Sequence, residues 1–506
     1  MNQTVTRRCF IGGLTAVAGT MAWGGARAGA PDLRVGIFSD HHLGSLDGGG
    51  VDLASRPAQI LERTLRFYKE RNVDAILIAG DFCHQGRVAE LKATSDVWAK
   101  VFGGIKEGPA KIFVTGNHEK VYFDQYKGKK DFESPIYKDG LYRDVEKNWM
   151  DLFGEKWEPI FIKQVKGYSF VGAHWGEWWK DKGRPFREFL AAHKAELDPS
   201  KPFFYTQHAH PQNTCYGPWT WHQWEGGPTE QILADYPNAV AFSGHTHYSI
   251  TDERSVWQGA FTSIGTGSLL QLAMPNGREN GGWAKGKPRR MRGMYDGWDS
   301  EGLLMDVYGD EMVFERWDFL NMEKIGDDWV VPVMHRHEDN PAYSFANRRA
   351  KAAAPEFPEG AKLATSERYW WHLDKEKEDQ VLLTIPLAVG TDSLSRCFEY
   401  EVRAVFAEDD VERTMCTKRF FQPECHLNAK RLPEKFDAVI GLAELPTTPF
   451  TFVVTPMNSF GVRGKPLTLD YRQPEYRKPP EKRLSQMTEE ERKKLEEEKK
   501  KGKDKK

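Results

Sequence analysis

Cysteine is scarce in this chain: six in 506 residues, none of them in a C-x-x-C pair. A thiolate metal cluster is thereby excluded as the organising feature. Excess charge is lacking too. Lys and Arg number 71 against 73 Asp and Glu, a net charge of -2, so bulk charge does not point to a polyanion-binding protein. Long apolar runs are also absent. The one candidate, a Gly/Ala-rich stretch near the N-terminus, is too short and too glycine-rich for a good membrane span. What remains is an ordinary folded-protein composition, rich in aromatics with 17 Trp, and a length that suggests two to four domains.

The N-terminus reads as a targeting segment and not as part of the fold. Arg7 and Arg8 precede Phe10 and the mild apolar run, which closes on Ala26-Arg27-Ala28, a small-x-small cleavage pattern. The "TRRCF" run resembles a twin-arginine export signal, with cleavage after Ala28 or Ala30. It implies a periplasmic or secreted protein and no transmembrane span in the mature chain. Cys9 leaves with the signal, so Cys83, Cys215, Cys397, Cys416 and Cys425 remain. An odd number leaves at least one thiol unpaired within the chain, and Cys416 with Cys425 is a possible pair that spacing alone does not decide.

From Asp32 onward, short apolar runs alternate with helix-like stretches. "DLRVGIFS", "VDAILIAG" and "AKIFVTG" read as strands, and Pro57 to Asn72 as a helix. Further strands follow, and Gly302 to Phe319 reads as a hairpin turning at Gly309-Asp310. The alternation implies an α/β layered fold with parallel pairing. Beyond about Ala350 strands dominate, as in a small β-sandwich. Four segments are expected: a signal over 1–30, an α/β domain over 31–330, a β-sandwich over 350–472 and a charged tail over 473–506. The last strands resemble those of a fibronectin type III-like module. In the tail, Thr488 and Glu491 suit a capping box on a solvated helix, although the composition favours disorder.

Five apolar runs stop at metal-competent side chains. "GIFSDHHLG" stops at Asp40 and His42, "ILIAGDFCHQG" at Asp81, "IFVTGNHEK" at Asn117 and His118, "FFYTQHAHP" at His208, and "VAFSGHTHY" at His245 and His247. Functional residues in open α/β sheets gather beyond the carboxyl ends of strands, so these ends are expected to share one crevice. Mixed N and O ligands without thiolate suit Mn, Fe, Zn or Co. Seven ligands are too many for one tetrahedral ion and suit two ions about 3.5–4 Å apart sharing a carboxylate. In D-x-H and H-x-H on extended backbone, residues i and i+2 face one side. Glycine ahead of Asp81, Asn117 and His245 lets the backbone turn and a substrate come close.

The ordered set "SDHH", "GD", "GNHE", a strand-ending His and "GHTH" resembles the five-motif pattern of the calcineurin-like metallophosphoesterases, over roughly Asp32 to Leu320. The resemblance implies two packed mixed sheets flanked by helices. It implies that Asp40, His42 and His247 hold one metal, that Asp81 bridges, and that Asn117, His208 and His245 hold the second. His118 would be the catalytic histidine beside the leaving group. His208 directly follows its apolar run and is preferred as ligand, with His210 open as the alternative. His41 alternates away, outward or behind the ligands. His84 and Glu119 either orient a ligand or are polar loop residues.

The function expected is hydrolysis of a phosphate ester, small or polymeric, with a slight lean to phosphodiesters and with a phosphomonoesterase or nucleotidase as the alternative. The run Lys285 to Gly293 offers cations suited to a monoester. The Trp-rich loops, with Trp175, Trp178, Trp179, Trp219, Trp221, Trp224, His174 and His222, read first as packing and second as the border of a groove. Trp370 to His372 reads as interface or sandwich core. A reading of another class, an inert surface binding protein on a phosphoesterase scaffold, is disfavoured because every ligand position is filled. Nothing firm points to nucleic-acid binding, and oligomeric state is not readable.

Overall fold

The computed structural model describes residues 29–44, 51–120, 139–217, 225–275, 277–281, 283–284, 287–288, 300–333, 341–368, 379–423, 425, 432–474 and 487–503. The export signal therefore lies outside the described residues apart from its last two positions. So do most of the run Lys285 to Gly293, Trp219 to Trp224 and Trp370 to His372. Residues from Asp32 onward form one compact unit.

The first three strands are β1 (Leu33–Phe38), β2 (Ala75–Ala79) and β3 (Ala110–Val114), linked by helices α1 (Arg56–Glu70) and α2 (Val88–Phe102). They pair in parallel, as short apolar runs alternating with helices require. Helix α3 (Val145–Phe153) leads into β4 (Ile160–Val165) and β5 (Tyr168–Ala173). A second sheet continues through helix α4 (Arg184–Ala192), β6 (Phe203–Thr206), helix α5 (Thr229–Leu233), β7 (Ala239–Ser243), β8 (Val256–Gln258) and β9 (Thr262–Gly265). Its order is β4-β5-β6-β7-β9-β8.

After a short ladder of β10 (Trp283–Ala284) with β11 (Lys287–Pro288), the chain returns to the first sheet. There it adds β12 (Glu301–Tyr308), β13 (Glu311–Asp318), β14 (Glu323–Lys324) and β15 (Trp329–Pro332). The hairpin turns at Gly309 and Asp310 as expected, with Gly309 at φ 61°. The first sheet runs β14-β13-β12-β1-β2-β3, with β15 also on β13.

The two sheets face each other across one core, with Val35, Ile37 and Leu77 on one side and Phe170, Phe204 and Phe242 on the other. Period-2 alternation sends Phe38, Ile76 and Ile78 to the opposite face, against α1, α2 and α3. Helices α4 and α5 cover the far side of the second sheet with Phe186, Leu190, Ile232 and Leu233. All the parallel strands are thus buried on both faces, which is why they read as continuous apolar runs.

Helix α6 (Phe345–Lys351) precedes two further sheets. One pairs β16 (Ala364–Arg368), β17 (Gln380–Pro386) and β20 (Lys435–Gly441). The other runs β19 (Val411–Phe421), β18 (Cys397–Glu408), β21 (Phe450–Asn458) and β22 (Leu467–Tyr471). Val381, Leu383 and Ile440 of one meet Tyr400, Val402, Phe452 and Val454 of the other in a shared core. The sequence does not announce β19, because its first five residues are exposed and carry no inward alternation.

Cys416 and Cys425 are both free, as are the other described cysteines. The pairing considered for them does not occur, since Cys416 belongs to the sandwich core and Cys425 to a cluster with Tyr248, Met274 and Phe421. In the tail, Glu489–Lys503 forms helix α7. Its capping box is present: Thr488 N–H donates to Glu491 at 2.7 Å, and Glu491 N–H donates to Thr488 Oγ1 at 3.3 Å. Among the described residues no helix is long and apolar enough to cross a membrane.

At the centre of the first sheet, Gly36 lets the Tyr68 ring lie against the strand, with the Tyr68 hydroxyl donating to the carbonyls of Ile37 and Leu303. A Cβ at Gly36 would stand 2.5 Å from that ring. Gly36→Ala is therefore expected to destabilise by about 1–3 kcal/mol, the usual cost of overpacking a core, read as a lower urea midpoint. An unchanged midpoint would show that the ring can move aside.

Candidate metal centre

The carboxyl ends of β1, β2, β3, β6 and β7 converge at one edge of the sandwich. Asp40 is fully buried and Asp81 is 2% exposed. His208 Nε2 lies 3.0 Å from Asp81 Oδ2 and 3.8 Å from Asp40 Oδ1. His42 Nε2 lies 3.6 Å from Asp81 Oδ2 and 3.8 Å from Asp40 Oδ1. His247 Nε2 lies 3.2 Å from Asp40 Oδ1 and 3.1 Å from His42 Nε2. Two donor groups result, each with ligand atoms within 4.8 Å of one another: Asp40, His42, Asp81 and His247, and Asp81, His208 and His245. Asp81 belongs to both.

Donor chemistry in these groups fits divalent transition metals. His247 Nδ1–H donates to the Gln271 carbonyl at 2.9 Å, and His208 Nδ1–H donates to the Ala79 carbonyl at 2.6 Å. Both rings therefore turn Nε2 toward the carboxylates. Asn117 Oδ1 is buried without a hydrogen-bond partner. A buried acceptor left unmade is costly, and a cation would satisfy it.

Backbone geometry departs from the expected extended D-x-H and H-x-H. Asp40, His42, Asp81, His245 and His247 all have positive φ, between 40° and 67°. The strands have already ended, and each ligand is aimed by a left-handed kink, a conformation that costs energy and gathers at functional sites. The same break separates His208 from His210, since β6 ends at Thr206 and the chain bends. His210 faces away, bonded to Thr246 Oγ1 at 2.9 Å and close to Cys215 Sγ and Ser243. His41 also turns away, but into the helix layer and not to solvent: it bonds Thr94 and packs edge-on against Phe38 and Phe82.

Glycines around the site make room for ligands more than for substrate. Gly80 turns at φ 96°, and a Cβ there would strike His208. A Cβ at Gly116 would strike Asp81, and one at Gly244 would strike Asp40 and Ser39.

The apo electrostatics are those of a compensated cluster. Burial works to protonate Asp81 and Asp40, but the imidazoles beside them prevail and hold both well below the carboxylate range. Burial also disfavours the His208 cation, yet Asp81 and Asp40 outweigh it and hold its pKa up at about 9. His245 moves the other way, driven down by burial and by His208.

Supporting groups extend beyond the expected set. Glu119 accepts from the N–H groups of Asp81 at 3.1 Å, Cys83 at 3.2 Å and Gly116 at 2.6 Å. It thus ties the Asp81 loop to the Asn117 loop, and burial followed by the Asp81 charge pushes it up to about 8. His118 N–H donates to Asp81 Oδ1 at 3.0 Å, and His118 Nδ1–H donates to the His84 carbonyl at 2.8 Å. The His84, His42 and His118 rings form a third cluster at the rim.

Ser39 bonds the Asp40 carboxylate and Thr266. Glu225 meets His245 Nε2 at 2.5 Å. Nothing in "HQWEGG" marks Glu225 in the sequence. Trp175 stands against His208 and His245 at 5.7 and 5.4 Å, while Trp178 is fully buried and Trp179 packs on both. His174 is an interior ring stacked on Trp157. The described aromatics of these loops thus pack behind the site.

A family model described as calcineurin-like phosphoesterase matches residues 33–249. This segment is a calcineurin-like phosphoesterase domain. Among solved structures, a dimetal phosphatase from Danio rerio aligns over 60% of this chain and 100% of its own, at 11% identity and a TM-score of 0.36. Purple acid phosphatase PPD1 from yellow lupin (Lupinus luteus) aligns at 16% identity and a TM-score of 0.37. That match covers 59% of this chain and 53% of the lupin chain, about half its length. No curated protein sequence matches the chain. The phosphoesterase domain therefore rests on the family match and on the α/β double-sheet fold itself, followed by the all-β sheets.

Two outcomes are expected. His208 is protonated at neutral pH in the metal-free state, and a cation needs its lone pair. Adding Mn to chelator-treated protein at pH 7.5 should release about one proton, and affinity should fall as pH is lowered below about 9. A pH-indicator titration reads both, and uptake without proton release would contradict the arrangement. Separately, Glu225→Gln should weaken metal binding about 10–100-fold with the melting temperature unchanged, because a carboxylate on a ligating imidazole sets its orientation.

Proposed function

We propose that the chain is an exported hydrolase of phosphate esters that works with two transition-metal ions, Mn, Fe, Zn or Co. The observation that carries this reading is the pair of donor groups meeting at Asp81. Asp40, His42 and His247 would hold one cation and Asn117, His208 and His245 the other, with Asp81, common to both donor groups, shared between them. When bound, the ions polarise the phosphoryl oxygens and activate a water for in-line attack. The protein's own part is orientation and proton transfer. Asp81 is pinned at Oδ1 by the His118 N–H, which leaves Oδ2 toward His208 and His42. His118 spends its Nδ1–H on the His84 carbonyl, so Nε2 faces the site, 4.0 Å from Asp81 Oδ2. Protonated there, it delivers the proton to the leaving oxygen.

Among the described residues, the imidazoles of His42 and His84 pack against His118. Such a rim suits the single negative charge of a diester better than the higher charge of a monoester, and the reading leans slightly to phosphodiesters. The paired arginines, apolar run and Ala-x-Ala site of the first 30 residues support export to the periplasm or beyond. The two C-terminal sheets over 350–472 are read as a fibronectin type III-like module on the phosphoesterase domain, supported by their shared core.

Hydrolysis of bis-p-nitrophenyl phosphate and p-nitrophenyl phosphate with added Mn tests the assignment. Asp81→Asn should lower metal-dependent turnover by more than about 100-fold, since one lost group undoes both ions. His118→Ala should lower kcat by about 100–10,000-fold while leaving metal content intact, as removal of a general acid does. Absence of metal-dependent turnover on either ester would sink the hydrolase reading, and the ratio of the two rates tells diester from monoester.

A further inference from the structure

A cleft of about 420 Å³ lies between the phosphoesterase domain and the C-terminal sheets, and five arginines line it: Arg254, Arg278, Arg348, Arg349 and Arg419. None of the proposed metal ligands lines it. Two of the five are neutralised in place. Arg254 forks onto Asp252 at 2.7 Å, and Arg348 pairs with Glu253. Of the other three, two share one carboxylate. Arg278 Nε donates to Glu399 at 2.7 Å, and Arg419 pairs with the second oxygen of the same Glu399. Arg349 donates only to the Phe460 carbonyl, at 2.6 Å, and has no carboxylate partner among the described residues.

Among the described residues, then, Arg278, Arg349 and Arg419 have one paired acid between them, Glu399, an excess of two positive charges at the cleft. Glu399 is buried, whereas the Arg419 side chain is 42% exposed. Tyr216 carries the Arg254 guanidinium on its face at 3.8 Å, and Trp257 and the exposed Phe345 add further ring surface to the wall. Guanidinium forks recognise planar or tetrahedral oxyanions by paired hydrogen bonds, and aromatic walls hold a ring. The volume suits one or two rings.

We propose that this interdomain cleft is a binding site for a ring-bearing oxyanion, a phosphate or sulfate ester, held by Arg278, Arg349 and Arg419. It is independent of the hydrolase reading, because none of its residues belongs to the metal centre. The oxyanion sits against the guanidinium groups of these three residues, and the ring lies along Tyr216, Trp257 and Phe345.

The test is calorimetric titration of the full chain after chelator treatment, which keeps anions off any metal. The probes are glucose 6-phosphate and glucose 6-sulfate, with glucose as the uncharged control. Either ester should bind and glucose should not, and the stronger of the two esters identifies the source of the anion. The double variant Arg349→Ala/Arg419→Ala should weaken binding by at least about tenfold, the loss expected for charged hydrogen bonds, while Asp81→Asn should not change it. Arg349→Glu, at an exposed position, checks the result with one substitution, and an unchanged melting temperature certifies the fold. No binding of either ester, equal binding of glucose, or binding lost in Asp81→Asn and kept in the arginine variants would overturn the proposal.

Discussion

Two carboxylates, Asp40 and Asp81, are buried close together at the strand ends, and the rest of the site answers to that constraint. Like charges out of water are unfavourable unless positive groups surround them. Here the surroundings are imidazoles, His42, His208 and His247, each aimed at one or both carboxylates. The Asp40 and Asp81 charges favour the protonated forms of His208 and His247 against their burial, so protons offset the carboxylates; with cations bound the same lone pairs would become ligands. Metal binding at such a site would displace protons.

Holding that cluster requires strain and its compensation. Five of the converging residues adopt left-handed backbone although none is glycine. The compensation comes from bonds that reach across the sheets. Asp40 accepts from the His245 N–H, Asp81 from the His118 N–H, and Glu119 from three amides of two loops. All but the Gly116 bond join one strand end to another, so the loops constrain one another. Such cross-linking is what a site needs when its ligands come from five separate strands.

The C-terminal sheets are not an appended bead. Arg254 of the phosphoesterase domain lies over Phe398 of β18 at 4.5 Å, and Thr251 donates to the Cys425 carbonyl. Arg278 crosses to Glu399, and Asn280 to the Phe421 backbone. The seam is rich in arginine because guanidinium groups can pair with acids and lie on rings at once.

Much of the fold was legible because it is local. Apolar runs such as "VDAILIAG" sit between layers and bury both faces, and the hairpin at Gly309 and the capping box at Thr488 follow from neighbours in sequence. The strand-end chemistry was legible for the same reason: an acid or imidazole that ends an apolar run is visible wherever the sheets go. Tertiary structure alone decided what depends on distant partners. It chose His208 over His210 to face the carboxylates, because the chain bends after Thr206 and not because of alternation. It brought Glu225 to His245, turned His41 into the helix layer, left Cys416 and Cys425 apart, and set Arg278 on Glu399 across 121 residues. Sequence pattern specifies how each segment bends and which face is apolar; which segments then meet depends on how the sheets stack, and no short window contains that information.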